Sequence, residues 1–134
     1  MSQTYTASCH CGAIELSVRL KDGFNTAQRC DCSLCRRKGA IMLAAPLDGV
    51  KITRGADKLS LYQFNTMTAK HWFCSVCGIY THHQRRIDPN EIGVNAGILH
   101  GVDIRDIRDI RDIRDIRDIK WKWTDGVNHP SDRS

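Results

Sequence analysis

Hydrophobic and polar residues alternate strictly over residues 13–20, which read AIELSVRL. In an extended chain every second side chain points to the same face, so one face of this stretch would be apolar throughout. The residues on that face are Ile14, Leu16, Val18 and Leu20. The pattern therefore predicts a strand that is buried on one side.

Six further short stretches are apolar or alternating and are separated by Gly, Pro, Asp and Asn: AIMLAAP, GVKITRG, LSLYQF, AKHWFC, GIYTHHQ and EIGVNAGIL. No amphipathic pattern long enough for a helix precedes residue 103. Short strands bounded by turn residues predict an all-β fold of antiparallel strands. A chain of 134 residues, 41% of them hydrophobic, is the size of one core, so residues 1–134 are expected to form a single domain.

Residues 103–120 read DIRDIRDIRDIRDIRDIK, a repeat of three residues. A period of three fits neither the strand period of two nor the helix period of 3.6, so no face of either element would be apolar throughout. We interpret the segment as a tandem insertion near the end of the domain, without chemistry of its own. The alternative is a charged interaction arm.

The net charge of +5 belongs to the rest of the chain, because the repeat has equal numbers of acidic and basic residues. Basic residues cluster at Arg36, Arg37 and Lys38 and again at Arg85 and Arg86. This pattern favours a local anion site over a long phosphate track, so no nucleic-acid partner is expected; the alternative is solvated surface charge. No apolar run suits a membrane helix and no signal peptide is readable, which predicts a cytoplasmic protein without a membrane partner.

The seven cysteines form three clusters: Cys9 and Cys11; Cys30, Cys32 and Cys35; and Cys74 and Cys77. Clustered cysteines in a reducing compartment bind metal more often than they form disulfides. A structural zinc ion takes four ligands, and two cysteine pairs that are distant in sequence can supply two each. Pairing the first cluster with the last makes such a site and leaves the middle triplet as a separate group.

A zinc ion held by three protein ligands keeps a fourth position open for substrate or water. Three thiolates make zinc a poor activator of water, so an incoming thiol is the more natural ligand. The adjacent Arg36, Arg37 and Lys38 could hold the carboxylates of an acidic thiol. The alternatives are that a histidine completes the triplet, or that the triplet is metal-free and redox-sensitive.

The segments CHCG, CDCSLCRRKGA, HWFCSVCGIYTHHQRR and IGVNAGIL, with the tail DGVNHPSD, resemble the glutathione-dependent formaldehyde-activating enzyme family, also called the centromere protein V family. The resemblance runs from about residue 8 to 99 and resumes at 121. It implies a β-tent type fold and two zinc ions as cofactors. The structural zinc would lie on Cys9, Cys11, Cys74 and Cys77, and the second, catalytic zinc on Cys30, Cys32 and Cys35.

The implied activity is that of a carbon-sulfur lyase, which joins glutathione and formaldehyde into S-hydroxymethylglutathione. Arg36, Arg37 and Lys38 are the predicted substrate-binding residues. His71, His82 and His83 are near the second cysteine pair, and at most one of the adjacent pair faces the site if the stretch is a strand. Two other functions stay open, a zinc- or thiol-binding module without turnover and an interaction protein with a basic surface.

The chain departs from the family pattern at two places. The triplet repeat lies where similar chains have a short connection, and Ile98 lies where many have cysteine. Neither place is a predicted metal ligand, so the departures bear on the path of the C-terminal segment and not on the predicted metal sites.

Overall fold

The structure is a computed structural model that describes residues 4–104 and Ile107. Most of the triplet repeat of residues 103–120 lies outside the described residues. The described part consists almost entirely of short strands: β1 Thr4–Ser8, β2 Glu15–Arg19, β3 Met42–Pro46, β4 Val50–Arg54, β5 Leu59–Tyr62, β6 Lys70–Cys74, β7 Tyr80–Gln84 and β8 Glu91–Asn95. One α-helix, α1 Cys35–Lys38, and three single-turn 3₁₀ helices, Leu47–Gly49, Ala56–Lys58 and Ala96–Ile98, connect them.

The strands form two antiparallel sheets, which confirms the predicted all-β fold. One sheet has three strands in the order β1-β2-β4, and the other has five in the order β3-β8-β7-β6-β5. Each of the seven predicted stretches contains one strand. The pattern missed β1, an edge strand in which Ala7 alone is buried, because so little apolar burial leaves no alternation to detect.

The main core is shared by the two sheets. The apolar face of residues 13–20 is buried, with no residue more than 1% exposed, as the alternation predicts. It packs in one cluster with Leu43 and Ala45 of β3 and with Ile92 and Val94 of β8. Burial of this apolar surface is the main force that holds the sheets together.

Strand β3 is buried on both faces. Leu43 and Ala45 belong to the main core, while Met42 packs on the other side against Cys35 and Tyr80. This second, smaller cluster attaches the loop that precedes β3, and the cysteine triplet in it, to the five-stranded sheet.

The turn after β1 contacts the end of β4 closely. Arg54 donates a hydrogen bond of 2.8 Å to the carbonyl oxygen of Gly12. Gly55 has φ +81°, and a Cβ atom at this position would lie 1.9 Å from the carbonyl oxygen of Ala13. Only glycine fits this approach, so the turn that carries Cys9 and Cys11 is fixed against its own sheet.

Within the part of the chain that the structure describes, no helix is long and apolar enough to cross a membrane.

Candidate metal centres and the adjoining cavity

The first and third cysteine clusters meet between the two sheets. Cys9 and Cys11 lie in the turn from β1 to β2, and Cys74 and Cys77 lie where β6 turns into β7. The four sulfur atoms all lie within 4.8 Å of one another. Two hairpins, one from each sheet, therefore contribute two thiols each to one group, which we call the four-cysteine group.

The spacing of these thiols fits a tetrahedral ion. Sγ of Cys11 lies 3.6 Å from Sγ of Cys9 and 3.7 Å from Sγ of Cys74. Tetrahedral zinc with Zn–S bonds of about 2.3 Å would place its sulfur ligands about 3.8 Å apart. Backbone amides also point at the sulfurs, as with Ile14 N to Cys9 Sγ at 3.3 Å and Val76 N to Cys74 Sγ at 3.3 Å. Such N–H donors stabilise thiolates, so the residues fit a structural metal ion.

Cys30, Cys32 and Cys35 form the second group, which we call the three-cysteine group. It lies in the loop between β2 and β3 and at the start of α1. Its sulfur atoms also lie within 4.8 Å of one another. The backbone N–H of Cys32 points at Cys30 Sγ at 3.4 Å, and that of Cys35 points at Cys32 Sγ at 3.3 Å. The donor set fits a thiophilic ion with three protein ligands.

Among the described residues, no fourth His, Cys, Asp or Glu brings a ligand atom within 4.8 Å of all three of these sulfurs. The histidines of the described chain therefore stay outside this group. Cys30 and Cys32 are exposed, whereas Cys35 is buried. An ion held here would keep one coordination position for an incoming ligand.

The three-cysteine group opens on a cavity of about 560 Å³. This volume is within the range of about 300–1,000 Å³ that is usual for small-molecule sites. The loop after β5 and the ends of β6 and β7 supply most of the remaining wall. The lining residues used below are Gln28, Phe64, His71, His83, Arg85 and Arg86.

His82 and His83 point to opposite faces of β7, as the strand geometry predicts. His83 lines the cavity, whereas His82 stacks on Trp72, with ring centroids 4.9 Å apart, and contacts the hydroxyl of Thr81 at 2.9 Å. His71 of β6 pairs with His83 across the strands and also lines the cavity. One histidine of the adjacent pair and His71 are therefore the imidazoles at the site.

Burial keeps these imidazoles neutral. It lowers the pKa of His71 to about 4, with the Lys38 ammonium as the second cause, and that of His82 to about 4. Burial, followed by Lys38 and the neighbouring charged groups, lowers the pKa of His83 to about 3. At neutral pH each ring therefore carries one N–H donor and one acceptor nitrogen.

The predicted substrate-binding residues take different positions. Arg36 and Arg37 are exposed and do not line the cavity, and Arg37 donates a hydrogen bond of 2.7 Å to the carbonyl oxygen of Ser33. Lys38 is partly buried, with its Nζ 3.5 Å from the centre of the Tyr80 ring and 3.4 Å from Nδ1 of His71. Burial lowers the pKa of Lys38, and the three thiols of the group oppose this shift.

The second basic pair, Arg85 and Arg86, lines the cavity. Nε of Arg85 lies 3.2 Å from Glu91 Oε1, and its guanidinium donates to the side-chain oxygen of Gln28. Arg86 is exposed and has no ion-pair partner among residues 4–104. Arg86 is therefore the cavity cation whose charge is open to a ligand.

Sequence reasoning did not identify Phe64, Tyr80 or Gly93 as neighbours of the site. Phe64 and Tyr80 have no motif that distinguishes them from core aromatics, and only the pairing of β5 with β6 and of β6 with β7 gathers these rings and the two histidines at one place. Gly93 gave a usable signal, because a glycine in the middle of an apolar strand often marks a close approach.

Comparison with known proteins gives a family and a structural relative. Residues 4–113 match the model of the family described as "Glutathione-dependent formaldehyde-activating enzyme". A crystal structure of a Rhodobacter sphaeroides protein, a structural genomics target, is 58% identical in sequence. That match has a TM-score of 0.77 and covers 78% of this chain and 96% of the other.

Proposed function

The chain belongs to the glutathione-dependent formaldehyde-activating enzyme family, and from this premise we propose that it is a zinc-dependent carbon-sulfur lyase in the cytoplasm. Its reaction would join the thiol of glutathione to formaldehyde, giving S-hydroxymethylglutathione. The observation that carries the proposal is a group of three thiols, without a fourth protein ligand among the described residues, on the wall of a cavity of about 560 Å³.

The two cysteine groups would have separate roles. Cys9, Cys11, Cys74 and Cys77 would hold a structural zinc ion, and Cys30, Cys32 and Cys35 would hold the catalytic one. Zinc at the second site would lower the pKa of a substrate thiol, which would stay nucleophilic as a thiolate. Cys30 and Cys32 are exposed, so a thiol as large as that of a tripeptide can reach this position.

The cavity residues support an acidic thiol as the substrate. Glutathione has two carboxylates, and Arg85 and Arg86 line the cavity beside the three-cysteine group. Guanidinium groups bind carboxylates with two parallel hydrogen bonds. Arg86 would bind a carboxylate directly, while Arg85 is held by Gln28 and Glu91 and would add charge.

The role of Arg36, Arg37 and Lys38 in substrate binding stays a prediction. Arg36 and Arg37 are exposed and outside the cavity lining, and from there they could attract an anion at longer range. Lys38 lies behind the wall, against Tyr80 and His71, and its effect on a substrate would pass through these rings.

Holding the thiol beside the aldehyde site makes addition effectively unimolecular. The sulfur lone pair forms the carbon-sulfur bond, and the π pair of the carbonyl moves to oxygen. That oxygen takes one proton from water, which replaces the proton that the thiol released. Formaldehyde needs little room, so most of the cavity volume is available to the thiol substrate.

The test is exchange NMR on glutathione and formaldehyde, with zinc-loaded protein, with buffer alone, and with a Cys32→Ser variant. We expect the protein to accelerate formation of the adduct and the variant to lose the acceleration while it keeps one zinc ion per chain. A wild-type rate equal to that in buffer overturns the enzyme assignment. If glutathione still binds in that case, the protein is a thiol-binding module instead.

A further inference from the structure

His71 lies in a row of aromatic rings at the cavity wall. Its imidazole stacks on Phe64, with ring centroids 6.0 Å apart, and on His83, with centroids 5.1 Å apart. Tyr80 continues the row, and its hydroxyl oxygen lies 2.5 Å from Nδ1 of His83. These ring contacts restrict rotation of the His71 side chain, so the direction of its N–H is set by the fold.

Gly93 makes room for this arrangement. It lies in the middle of β8, opposite His83, and a Cβ atom there would lie 2.4 Å from Cε1 of His83. Glycine in a strand interior weakens the strand. At this position it allows the imidazole of His83 to lie flat against the backbone, where it supports His71.

Lys38 fixes the tautomer of His71. Its Nζ lies 3.4 Å from Nδ1 of His71. An ammonium group can only donate, so Nδ1 must accept, and the neutral ring carries its proton on Nε2. Lys38 does not line the cavity, whereas His71 does. Nδ1 is therefore engaged by a group outside the cavity lining, and Nε2–H is the polar group of this lining residue that remains for a ligand.

The same ammonium links this donor to the three-cysteine group. Lys38 interacts electrostatically with the thiols of Cys30, Cys32 and Cys35, so it lies close to both the group and His71. The three thiols and His71 line the same cavity, so a carbonyl that is attacked by a thiol held at the group lies in the space that His71 borders. The neutral state of His71 suits a hydrogen-bond donor that polarises a carbonyl without giving up its proton.

We propose that Nε2–H of His71 donates a hydrogen bond to the aldehyde oxygen and stabilises the negative charge that develops there when the sulfur attacks. This role rests on the proposed function. His71 keeps its proton throughout, and water supplies the proton of the final hydroxyl group. His71 is thus a catalytic residue of the aldehyde half-site, and Lys38, His83 and Gly93 are positioning residues.

Two variants of His71 distinguish the effect of its hydrogen-bond donor from the effect of its aromatic ring. His71→Phe keeps the stacking and removes both nitrogens, and we expect it to lower the catalysed rate about 100-fold, the cost of one lost oxyanion donor. His71→Gln can still accept from Lys38 and donate with its amide, so it should recover part of that loss. Both should keep the wild-type zinc content and glutathione affinity, the latter measured by calorimetry.

His82→Phe is the matched control. His82 and His71 are both 7% exposed and lie on neighbouring strands, but His82 stacks on Trp72 outside the cavity lining. This control should keep a rate within about twofold of the wild type. If His71→Phe retains the wild-type rate, or if His71→Gln is no faster than His71→Phe, the assignment is wrong.

Nitrogen-15 NMR of the imidazoles gives a readout that is independent of turnover. We expect His71 to show its proton on Nε2 in the wild type, and Lys38→Met to shift it toward the other tautomer. A proton on Nδ1 in the wild type overturns the assignment even if the enzyme is active. A wild type that accelerates nothing overturns the proposed function and this role together, whereas acceleration that survives in His71→Phe overturns this role alone.

Discussion

The two cysteine groups present the same side chain in opposite surroundings. The four-cysteine group joins the turns of two hairpins from different sheets, and its Cys74 is fully buried. The three-cysteine group lies in one loop, and its Cys30 and Cys32 are exposed beside the cavity. A closed site between elements stabilises a fold, while an open site on a loop leaves room for a ligand. Position in the topology, rather than residue type, therefore distinguishes the two groups.

Removing one thiol from each group tests this difference most directly. Cys74→Ser should destabilise the protein by at least about 3 kcal/mol, or about 10 °C in Tm, because it removes one thiol of the proposed structural zinc site that would tie the two sheets. Cys32→Ser should change Tm by less than about 3 °C, because its loop is attached independently through Met42 and Tyr80. Thermal unfolding by circular dichroism, with zinc content measured in parallel, checks both. Equal losses of Tm would show that the two groups share one role.

The second test concerns the wall of the open site. Gly93→Ala should cost roughly 1–3 kcal/mol, because the new methyl group collides with the His83 ring. In a His83→Ala background the same change should cost much less, since the ring that it meets is gone. Urea unfolding of the four proteins gives the coupling energy. Additive costs would mean that the backbone of β8, rather than the His83 ring, requires glycine.

The third test measures how the stability of the protein depends on pH through His82, the histidine of β7 that is outside the cavity lining. Because the native pKa of His82 is about 4 and the unfolded value is about 6.5, the unfolded state binds more protons between these values. Stability should therefore fall as pH is lowered from about 6.5 toward 4. His82→Phe should lose roughly 1–2 kcal/mol less than the wild type between pH 7 and pH 5. Urea unfolding at both pH values checks this. Identical pH dependence would mean that the pKa of His82 is the same in the folded and unfolded states.

The smallest expected effect is on glutathione affinity, and it should distinguish a basic residue that lines the cavity from one that does not. Arg86→Ala should weaken glutathione binding about 2- to 5-fold, as expected for one partly solvated ion pair. Arg36→Ala, which removes an exposed charge outside the cavity lining, should leave the affinity within about 1.5-fold at 0.15 M salt. Calorimetric titration with glutathione measures both. A larger loss of affinity in Arg36→Ala would mean that the basic residues after the triplet bind the substrate, as the sequence predicts.

Sequence patterns predicted most of the strands and the composition of both cysteine groups. The alternation of residues 13–20 was sufficient for β2, because a half-buried strand repeats every two residues. The four-cysteine group followed from counting ligands. A closed zinc site needs four, and the first and last cysteine pairs supply four while the triplet stays intact. Edge strand β1 was missed because it buries almost nothing.

Which basic residues face the cavity could not be predicted. Arg36 and Arg37 follow the triplet directly in sequence, yet the turn of α1 directs them to solvent. Arg85 and Arg86 are distant in sequence and reach the cavity from the loop after β7. The row of rings around His71 is equally non-local, because it depends on the register of β5, β6 and β7. Such pairings are fixed when many residues pack together on one face of the sheet, so no short stretch of the sequence predicts them.

Periodicity and spacing are local properties of the chain, so the alternation of the strands and the grouping of the cysteines follow from the order of the residues. The tertiary structure places one thiol group between the sheets and the other beside a cavity. It also decided that His71 is held between other rings and a lysine. These features arise from contacts between residues far apart in sequence, and burial in the shared core selects them.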